Sequence, residues 1–241
     1  MESTIFAIAF VAGLIPAIFW VWFWLREDSI KPEPYFLIAI TFIAGMAVVP
    51  LALPLQRFAL ELYPQSILAI GSFTVSWVML SWVIIEELLK YAVALAIVFW
   101  NREVDEPIDM VIYLIVIALG FAALENALFV FNPLLIGDYL NSALTGGFRF
   151  LGATLLHVLA SGTIGMFLAF TYYKTKSVQM LAGTVGLFVA IVLHALFNFF
   201  IMGASGTTIL GVFLFVWIGI IILFMLFERV KMLERNHNLH A

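Results

Sequence analysis

Seven long apolar stretches dominate this chain of 241 residues. They cover approximately residues 4–25, 35–55, 73–99, 108–131, 149–173, 179–202 and 207–228. A helix needs about 20 consecutive apolar residues to cross the hydrocarbon core of a bilayer, and each stretch reaches that length. The sequence therefore predicts an all-α fold, a polytopic membrane helix bundle with about seven transmembrane helices.

The composition excludes most other classes of protein. Only 11% of the residues are charged, against about 25% in a typical soluble domain. The net charge of -4 argues against a nucleic-acid partner. The chain has no cysteine, which excludes a disulfide framework, an all-cysteine zinc site and a thiol nucleophile. We expect the lipid bilayer of the cell membrane to be the surroundings of this protein.

The basic residues predict the orientation of the helices. If the N-terminus lies outside and the spans alternate, the inner segments hold eight Lys and Arg residues, and the outer segments hold only Arg57 and Arg149. The positive-inside rule therefore favours the N-terminus outside and the C-terminus inside. Since all connections are short, residues 1–241 are predicted to form a single transmembrane domain. The connection 56–72 leaves room for an eighth short or re-entrant helix, and 132–148 is predicted to be a loop.

Ionisable and polar side chains interrupt four consecutive spans. A charged group inside the bilayer costs at least about 2.5–3.5 kcal/mol, so such residues should be absent unless they are used. They are Glu86, Glu87 and Lys90 in the third span, Glu125 and Asn126 in the fourth, His157 and Ser161 in the fifth, and His194 and Asn198 in the sixth. These spans, over about 73–202, are predicted to be the catalytic four-helix core. Asp109, at the start of the fourth span, instead fits a helix N-terminus.

The depths of these residues indicate a shared layer. At about 1.5 Å per residue, Glu125 lies roughly 9 Å, and His157 and His194 roughly 12 Å, from the outer ends of their spans. Glu86 reaches the same depth only if its helix begins a turn or two after residue 73, or tilts. Glu86 and Lys90 have the i,i+4 order that favours a helical ion pair.

Each of these residues taken singly has a structural explanation, such as a hydrogen bond between helices. Together they are compatible with three classes of protein. A hydrolase would use glutamate to activate water, histidine to stabilise or shuttle charge and asparagine to bind an oxyanion. A proton- or ion-coupled transporter would use glutamate and histidine as a relay, although we find no inverted repeat or matched pair of broken helices. A structural or immunity-type membrane protein would use the residues to hold helices together.

At these residues the sequence resembles the PrsW family of intramembrane proteases. The wider clan also holds the type II CAAX prenyl endopeptidases and bacteriocin-processing proteases. The resemblance is carried by four motifs in order: Glu86-Glu87-x-x-Lys90, Phe121-x-x-x-Glu125 followed by Asn126, His157-x-x-x-Ser161 and His194-x-x-x-Asn198. The CAAX branch prefers an arginine one place after Lys90 and a histidine in place of Glu125. The residues present therefore favour the PrsW branch.

The resemblance implies an intramembrane peptidase that cleaves membrane-anchored proteins. Its expected substrate is a single-pass membrane protein such as an anti-sigma factor, cut in a site-1-type reaction in the outer half of the bilayer. The implied catalytic residues are Glu86, Glu87, Glu125, His157, His194 and Asn198, and the supporting residues are Lys90, Asn126 and Ser161.

Two mechanisms are compatible with these residues. In a zinc metalloprotease, Glu125, His157 and His194 would hold the ion, and Glu86 or Glu87 would be the base. In a glutamic-type protease without a metal cofactor, Glu86 would activate water, one histidine would assist and Asn198 would bind the oxyanion. Both mechanisms need water, so both predict a polar cavity that opens to the outer face.

Overall fold

A computed structural model describes residues 2–27, 31–63, 67–70, 73–203 and 207–240. Its elements, in chain order, are α1 (Glu2–Glu27), α2 (Tyr35–Leu62), β1 (Ile67–Ile70), β2 (Phe73–Ser76), α3 (Trp77–Ile97), α4 (Pro107–Leu135), α5 (Tyr139–Phe148), α6 (Thr154–Phe170), α7 (Lys176–Gly203) and α8 (Thr208–His240). A π-helical turn, Arg149–Ala153, joins α5 to α6. The prediction of an all-α helix bundle is confirmed, with one short pair of strands added.

Within these ranges, six helical segments are long and apolar enough to cross a membrane. They are α1, α2, α4, the continuous segment Tyr139–Phe170, α7 and the part of α8 up to Leu233. The helix α3 has 21 residues and is less apolar, because it carries three charged side chains inside the bundle. The protein is therefore a multi-pass integral membrane protein, and the orientation of its termini stays a prediction.

The helix α4 forms the centre of the bundle. Every residue from Pro107 to Ala123 is buried, as expected for a helix that is apolar on all sides. Helices α1, α2 and α6 pack around it. Gly45 of α2 and Gly120 of α4 lie where a Cβ atom would collide with the backbone of the facing helix, so α2 and α4 approach closely. This packing removes α4 from the lipid and places its C-terminal half, with Glu125, inside the protein.

The connection 56–72 contains no separate helix in its described part. Helix α2 continues through this region to Leu62 and ends before Pro64, because a proline disfavours the helical conformation of the residue before it. Residues 67–70 then pair antiparallel with 73–76. Residues 64–66 and 71–72 lie outside the described part of the chain.

The prediction that 132–148 is a loop is wrong. Helix α4 runs on to Leu135, and α5 occupies Tyr139–Phe148. Between them, Gly137 has a φ of 78°, the left-handed conformation in which glycine commonly ends a helix. The side chain of Asp138 then accepts a hydrogen bond from the backbone N–H of Asn141 at 3.1 Å, which caps α5. Helix α5 leads the chain directly into the π-helical turn, a feature that is frequent at functional sites.

Candidate active site

Polar side chains from α3, α4, α6 and α7 meet at one end of the bundle. Helix α3 begins at Trp77, one turn later than predicted, so Glu86 lies at the depth of the other polar residues. One ligand atom each of Glu86, His157 and His194 lies within 4.8 Å of the others, and all three residues are buried. The two imidazole rings are 5.0 Å apart and nearly perpendicular. The structure thus brings these residues together at one point.

Glu87 is fully buried behind this group and is held by two neighbours. Its Oε1 accepts hydrogen bonds from Lys90 Nζ at 2.5 Å and from His194 Nδ1 at 2.7 Å. The expected ion pair between Glu86 and Lys90 is therefore wrong, since Lys90 pairs with Glu87 at i,i+3. The reason is geometric. Adjacent side chains on a helix point in directions about 100° apart around its axis, so Glu86 and Glu87 cannot both face Lys90. Only Glu87 points into the closed interior with Lys90.

Lys90 also determines the tautomer of His157. Its Nζ lies 3.3 Å from His157 Nδ1, and an ammonium group can only donate hydrogen bonds. His157 Nδ1 is therefore the acceptor, and His157 Nε2 carries the proton that it donates to Glu125 Oε2 at 3.0 Å. The ring of Phe121 packs against the His157 ring and below Lys90 Nζ, which explains why a phenylalanine precedes Glu125 by one helical turn.

His194 has the opposite arrangement. Its Nδ1–H donates to Glu87, so Nε2 has a free lone pair, which faces Glu86 Oε2 at 3.8 Å. Glu86 Oε1 accepts a hydrogen bond from Gln56 Nε2 at 2.8 Å. Glu86 Oε2 is buried and has no hydrogen-bond partner among the described residues. Glu86 Oε2 and His194 Nε2, two acceptor atoms without a hydrogen bond in the described part of the chain, thus face each other.

Arg149 is a site residue that the sequence analysis assigned to an outer connection. It forms an ion pair with Glu125, and its Nε donates to Asn126 Oδ1 at 2.5 Å. Asn126 Nδ2 in turn donates to Thr154 Oγ1 at 2.9 Å, so Asn126 connects α4 to the start of α6. The available signal was that Arg149 is a lone basic residue directly before an apolar span.

Gln56 was also missed, because it falls in the connection that the sequence analysis left unassigned. The extension of α2 places it beside Glu86. The indole N–H of Trp82 donates to the backbone oxygen of Gln56 at 3.0 Å. These two contacts tie α2 to α3 next to the candidate base.

The group opens into a cavity of about 620 Å³, here called the catalytic cavity. The polar side chains that line it are Ser76, Glu86, Glu125, Arg149, His157, His194 and Asn198. The remaining walls are mainly apolar side chains of α3, α7 and α8. Glu86 and Glu125 also line a smaller cavity of about 380 Å³ between α2, α3 and α4, so these carboxylates can be reached from both sides.

Four predicted site residues, Glu87, Lys90, Asn126 and Ser161, do not line this cavity. The first three contact side chains that do, namely His194, His157 and Arg149, whereas the structure gives no such contact for Ser161 within the described ranges. It is fully buried one helical turn after His157. Its Oγ has no hydrogen-bond partner among the described residues. Asn198, one turn after His194, does reach the cavity wall.

The donor set of the site is compatible with a zinc ion. Two histidines and one carboxylate are a common ligand set of catalytic zinc, and Glu86 Oε2 and His194 Nε2 are both without a hydrogen bond. A histidine that binds a metal usually donates its other N–H to a carboxylate, as His194 does to Glu87. This group contains Glu86 where the predicted ligand set contains Glu125, which is already bonded to Arg149 and His157. His157 would have to exchange its hydrogen bond to Glu125 for the bond to the metal.

Comparisons with known proteins agree with these motifs. A sequence model of the family described as PrsW family intramembrane metalloprotease matches residues 33–226. The protein named Protease PrsW from Oceanobacillus iheyensis is 26% identical over 216 residues, which cover 89% of this chain and 93% of the relative. Protease PrsW from Bacillus subtilis is 27% identical over 216 residues, with 90% and 88% covered. No solved structure matches the chain significantly.

Proposed function

Because the chain belongs to the PrsW family of intramembrane proteases, and is therefore an intramembrane peptidase, we propose that it hydrolyses a peptide bond of a single-pass membrane protein in the catalytic cavity. The observation that carries this proposal is the unpaired Oε2 of Glu86, which faces His194 Nε2 beside the cavity. Burying an unpaired carboxylate oxygen is costly. Glu87 Oε2 and Asp109 Oδ1 are also buried without a described partner, but of these three residues only Glu86 lines the catalytic cavity, where a reaction can use the free oxygen.

Glu86 is the general base of the proposed reaction. Three carboxylates, those of Glu86, Glu87 and Glu125, face two cations, Lys90 and Arg149, and Glu86 is the carboxylate without a cationic partner in hydrogen-bond contact. Its Oε2 takes a proton from a water molecule in the cavity, and the water oxygen attacks the scissile carbonyl carbon. The same carboxyl group then delivers the proton to the leaving amine nitrogen as the C–N bond breaks.

The other polar residues position the reacting groups. Glu87 holds His194 so that Nε2 points towards Glu86, and Lys90 compensates the charge of Glu87. Asn198 lies on the cavity wall, where its side-chain amide can donate to the developing oxyanion. Glu87 is thus a positioning residue, and Glu86 the residue that acts on water.

A metal ion would change the role of Glu86. Glu86, His157 and His194 would hold the ion, and Zn²⁺ would supply a Lewis acid for the scissile carbonyl. Glu125, which lines the same cavity, would then be the carboxylate that holds the proton. Metal analysis of the purified protein and of Glu86→Gln tests this: one zinc per chain that is lost in the variant supports a metalloprotease, and an active metal-free preparation supports a glutamic-type protease.

The finer substrate class in this proposal is an anti-sigma factor, cut in a site-1-type step. It is supported by the resemblance and by the predicted orientation, which puts the cavity in the outer half of the bilayer. A co-expressed single-pass anti-sigma factor is therefore the substrate for the first assay.

The central test compares Glu86→Gln and His194→Ala with Glu61→Gln, the same type of change at an exposed position of α2. Immunoblots of the substrate should show its cleavage product with wild-type protein and with Glu61→Gln. Loss of the base should lower cleavage by about 100-fold or more, with the protein still present in the membrane. Cleavage that continues in both site variants would refute the assignment.

A further inference from the structure

An apolar groove runs along the protein between α7 and α8. It has a volume of about 580 Å³, and α6 forms its floor. Its walls include Leu193 of α7 and Ile218 and Ile222 of α8. Both isoleucines are about half exposed, at 48% and 52%. We call this feature the α7–α8 groove.

The α7–α8 groove continues the catalytic cavity. On α7, Leu193 lines the groove, and the next residue, His194, lines the cavity. On α8, Phe213 lines the cavity, and Phe215 lines the groove. The two cavities share no lining residue, but their linings follow one another along α7 and α8. The groove and the catalytic cavity therefore lie end to end between the same two helices, and we treat them together as one cleft with the candidate active site at one end.

The length of this cleft matches a membrane span. Along α8, its lining residues extend from Ile209 to Leu226, or about 25 Å at the rise of a helix. The hydrocarbon core of a bilayer is about 30 Å thick. The smaller cavity on the other side extends along α2 only from Val49 to Leu60, or about 16 Å. On that side, Gln56 also ties α2 to α3.

We propose that the α7–α8 groove binds the transmembrane helix of the substrate and that the scissile segment enters the catalytic cavity between α7 and α8. This inference rests on the proposed proteolytic function. An apolar helix laid along the groove would end beside the catalytic cavity, because Leu193 of the groove directly precedes His194 of the cavity. Since lipid chains are as apolar as the substrate helix, its affinity comes from close packing. The α8 wall allows close approach at Gly219, which has no side chain and packs directly on Leu159 of the α6 floor.

Filling the groove tests the proposal. Ile222→Trp places a large ring in the groove. Ile221→Trp is the matched control, because Ile221 is equally exposed (56%) on the same helix and does not line the groove. Each variant is assayed with two probes: the full single-pass anti-sigma factor, and a water-soluble peptide that spans its cleavage site and lacks the transmembrane helix.

We expect Ile222→Trp to cleave the anchored substrate about tenfold or more slowly than Ile221→Trp, and to cleave the soluble peptide at the wild-type rate. If both variants cleave the anchored substrate at equal rates, the proposal that the groove binds the substrate helix is refuted. The proposed proteolytic function would not be affected by that result. If the wild-type protein cleaves neither probe, the proteolytic function itself is overturned.

Cross-linking provides a second measurement that does not depend on the tryptophan variant folding. The chain has no cysteine, so single cysteines report only on their own position. In the background of Glu86→Gln, Ile218→Cys should form a disulfide with a cysteine in the substrate helix, and Ile221→Cys should not. Equal cross-linking at both positions indicates random encounters in the lipid and overturns the proposal.

Discussion

The two ends of α4 both carry buried carboxylates, and the protein uses them differently. At the N-terminal end, Asp109 Oδ2 accepts a hydrogen bond from the backbone N–H of Glu106 at 2.8 Å. The hydroxyl of Tyr113 donates to Glu33 close by. At the C-terminal end, Glu125 lies in the wall of the catalytic cavity together with residues of α3, α6 and α7.

The difference lies in what the carboxylates face, since Glu33, Glu86, Glu87, Glu106 and Asp109 are buried and only 18% of the Glu125 side chain is exposed. At the N-terminal end, Asp109 Oδ2 and Glu33 bond to a backbone group and a neighbouring side chain, and Lys31 lies 2.5 Å from Glu106. Asp109 Oδ1 is also buried without a described partner, but Asp109 lines none of the cavities described above. At the C-terminal end, Glu86 Oε2 and His194 Nε2 face each other beside open space. Burial of acidic residues in a membrane protein therefore indicates a reactive site only where unsatisfied atoms also reach a cavity.

The largest effect on stability should come from Glu87→Gln. This change leaves the fully buried ammonium of Lys90 without its counter-charge. Removing one partner of a buried ion pair typically costs about 3–5 kcal/mol, so we expect a fall of that size in the free energy of unfolding, measured by SDS titration in micelles.

The control for this prediction is Glu86→Gln, at the neighbouring position. Since Glu86 has no cationic partner in hydrogen-bond contact, its variant should be as stable as the wild-type protein, or more so, although it is inactive. If the two variants were destabilised equally, Glu86 would have a structural role. The carboxylates at the two ends of α4 would then no longer differ in function.

The second effect concerns Arg149, the cation of the cavity wall. Arg149→Gln removes an ion pair with Glu125 and a hydrogen bond to Asn126. Hydrogen bonds to charged groups are worth about 1.5–3 kcal/mol, and we expect destabilisation in this range. We also expect reduced cleavage, because Glu125 loses its cationic partner in the wall of the catalytic cavity.

Arg149→Lys tests whether the positive charge of Arg149 is enough or whether the planar shape of its guanidinium group is also needed. A lysine retains the charge but cannot contact Glu125 and Asn126 together in the way of a planar guanidinium. We expect it to restore stability more than cleavage. Full recovery of the cleavage rate by Lys would mean that charge alone matters at this position.

The fold could be predicted from the sequence largely because the length of an apolar stretch is a local property. Each of the seven predicted spans coincides with a helix. The helix that replaces the 132–148 loop could have been recognised from Gly137 and Asp138, which are adequate end and start signals.

Most residues of the candidate site could be predicted from the sequence. Which of them form ion pairs and hydrogen bonds with one another could be predicted less well. The residues Glu86, Glu125, His157 and His194 were found because charge inside apolar sequence is costly and therefore conspicuous. The role of Arg149 was not visible, since it depends on α5 leading the chain back to the end of α4. The partner of Lys90 depends on which face α3 turns inwards, and this is decided by packing and not by spacing.

The smallest effect should be that of Asp109→Ala, at the N-terminal end of α4. It removes the acceptor for the Glu106 N–H, and losses of such helix-capping contacts cost about 1 kcal/mol. Asp109→Asn retains a side-chain oxygen and should recover most of this stability. Cleavage per folded molecule should be unchanged in both variants, because the other end of α4 holds the reactive group. A loss of cleavage that exceeds the loss of folded protein would show that the two ends are coupled, and that the N-terminal carboxylates have a part in the reaction as well as in the fold.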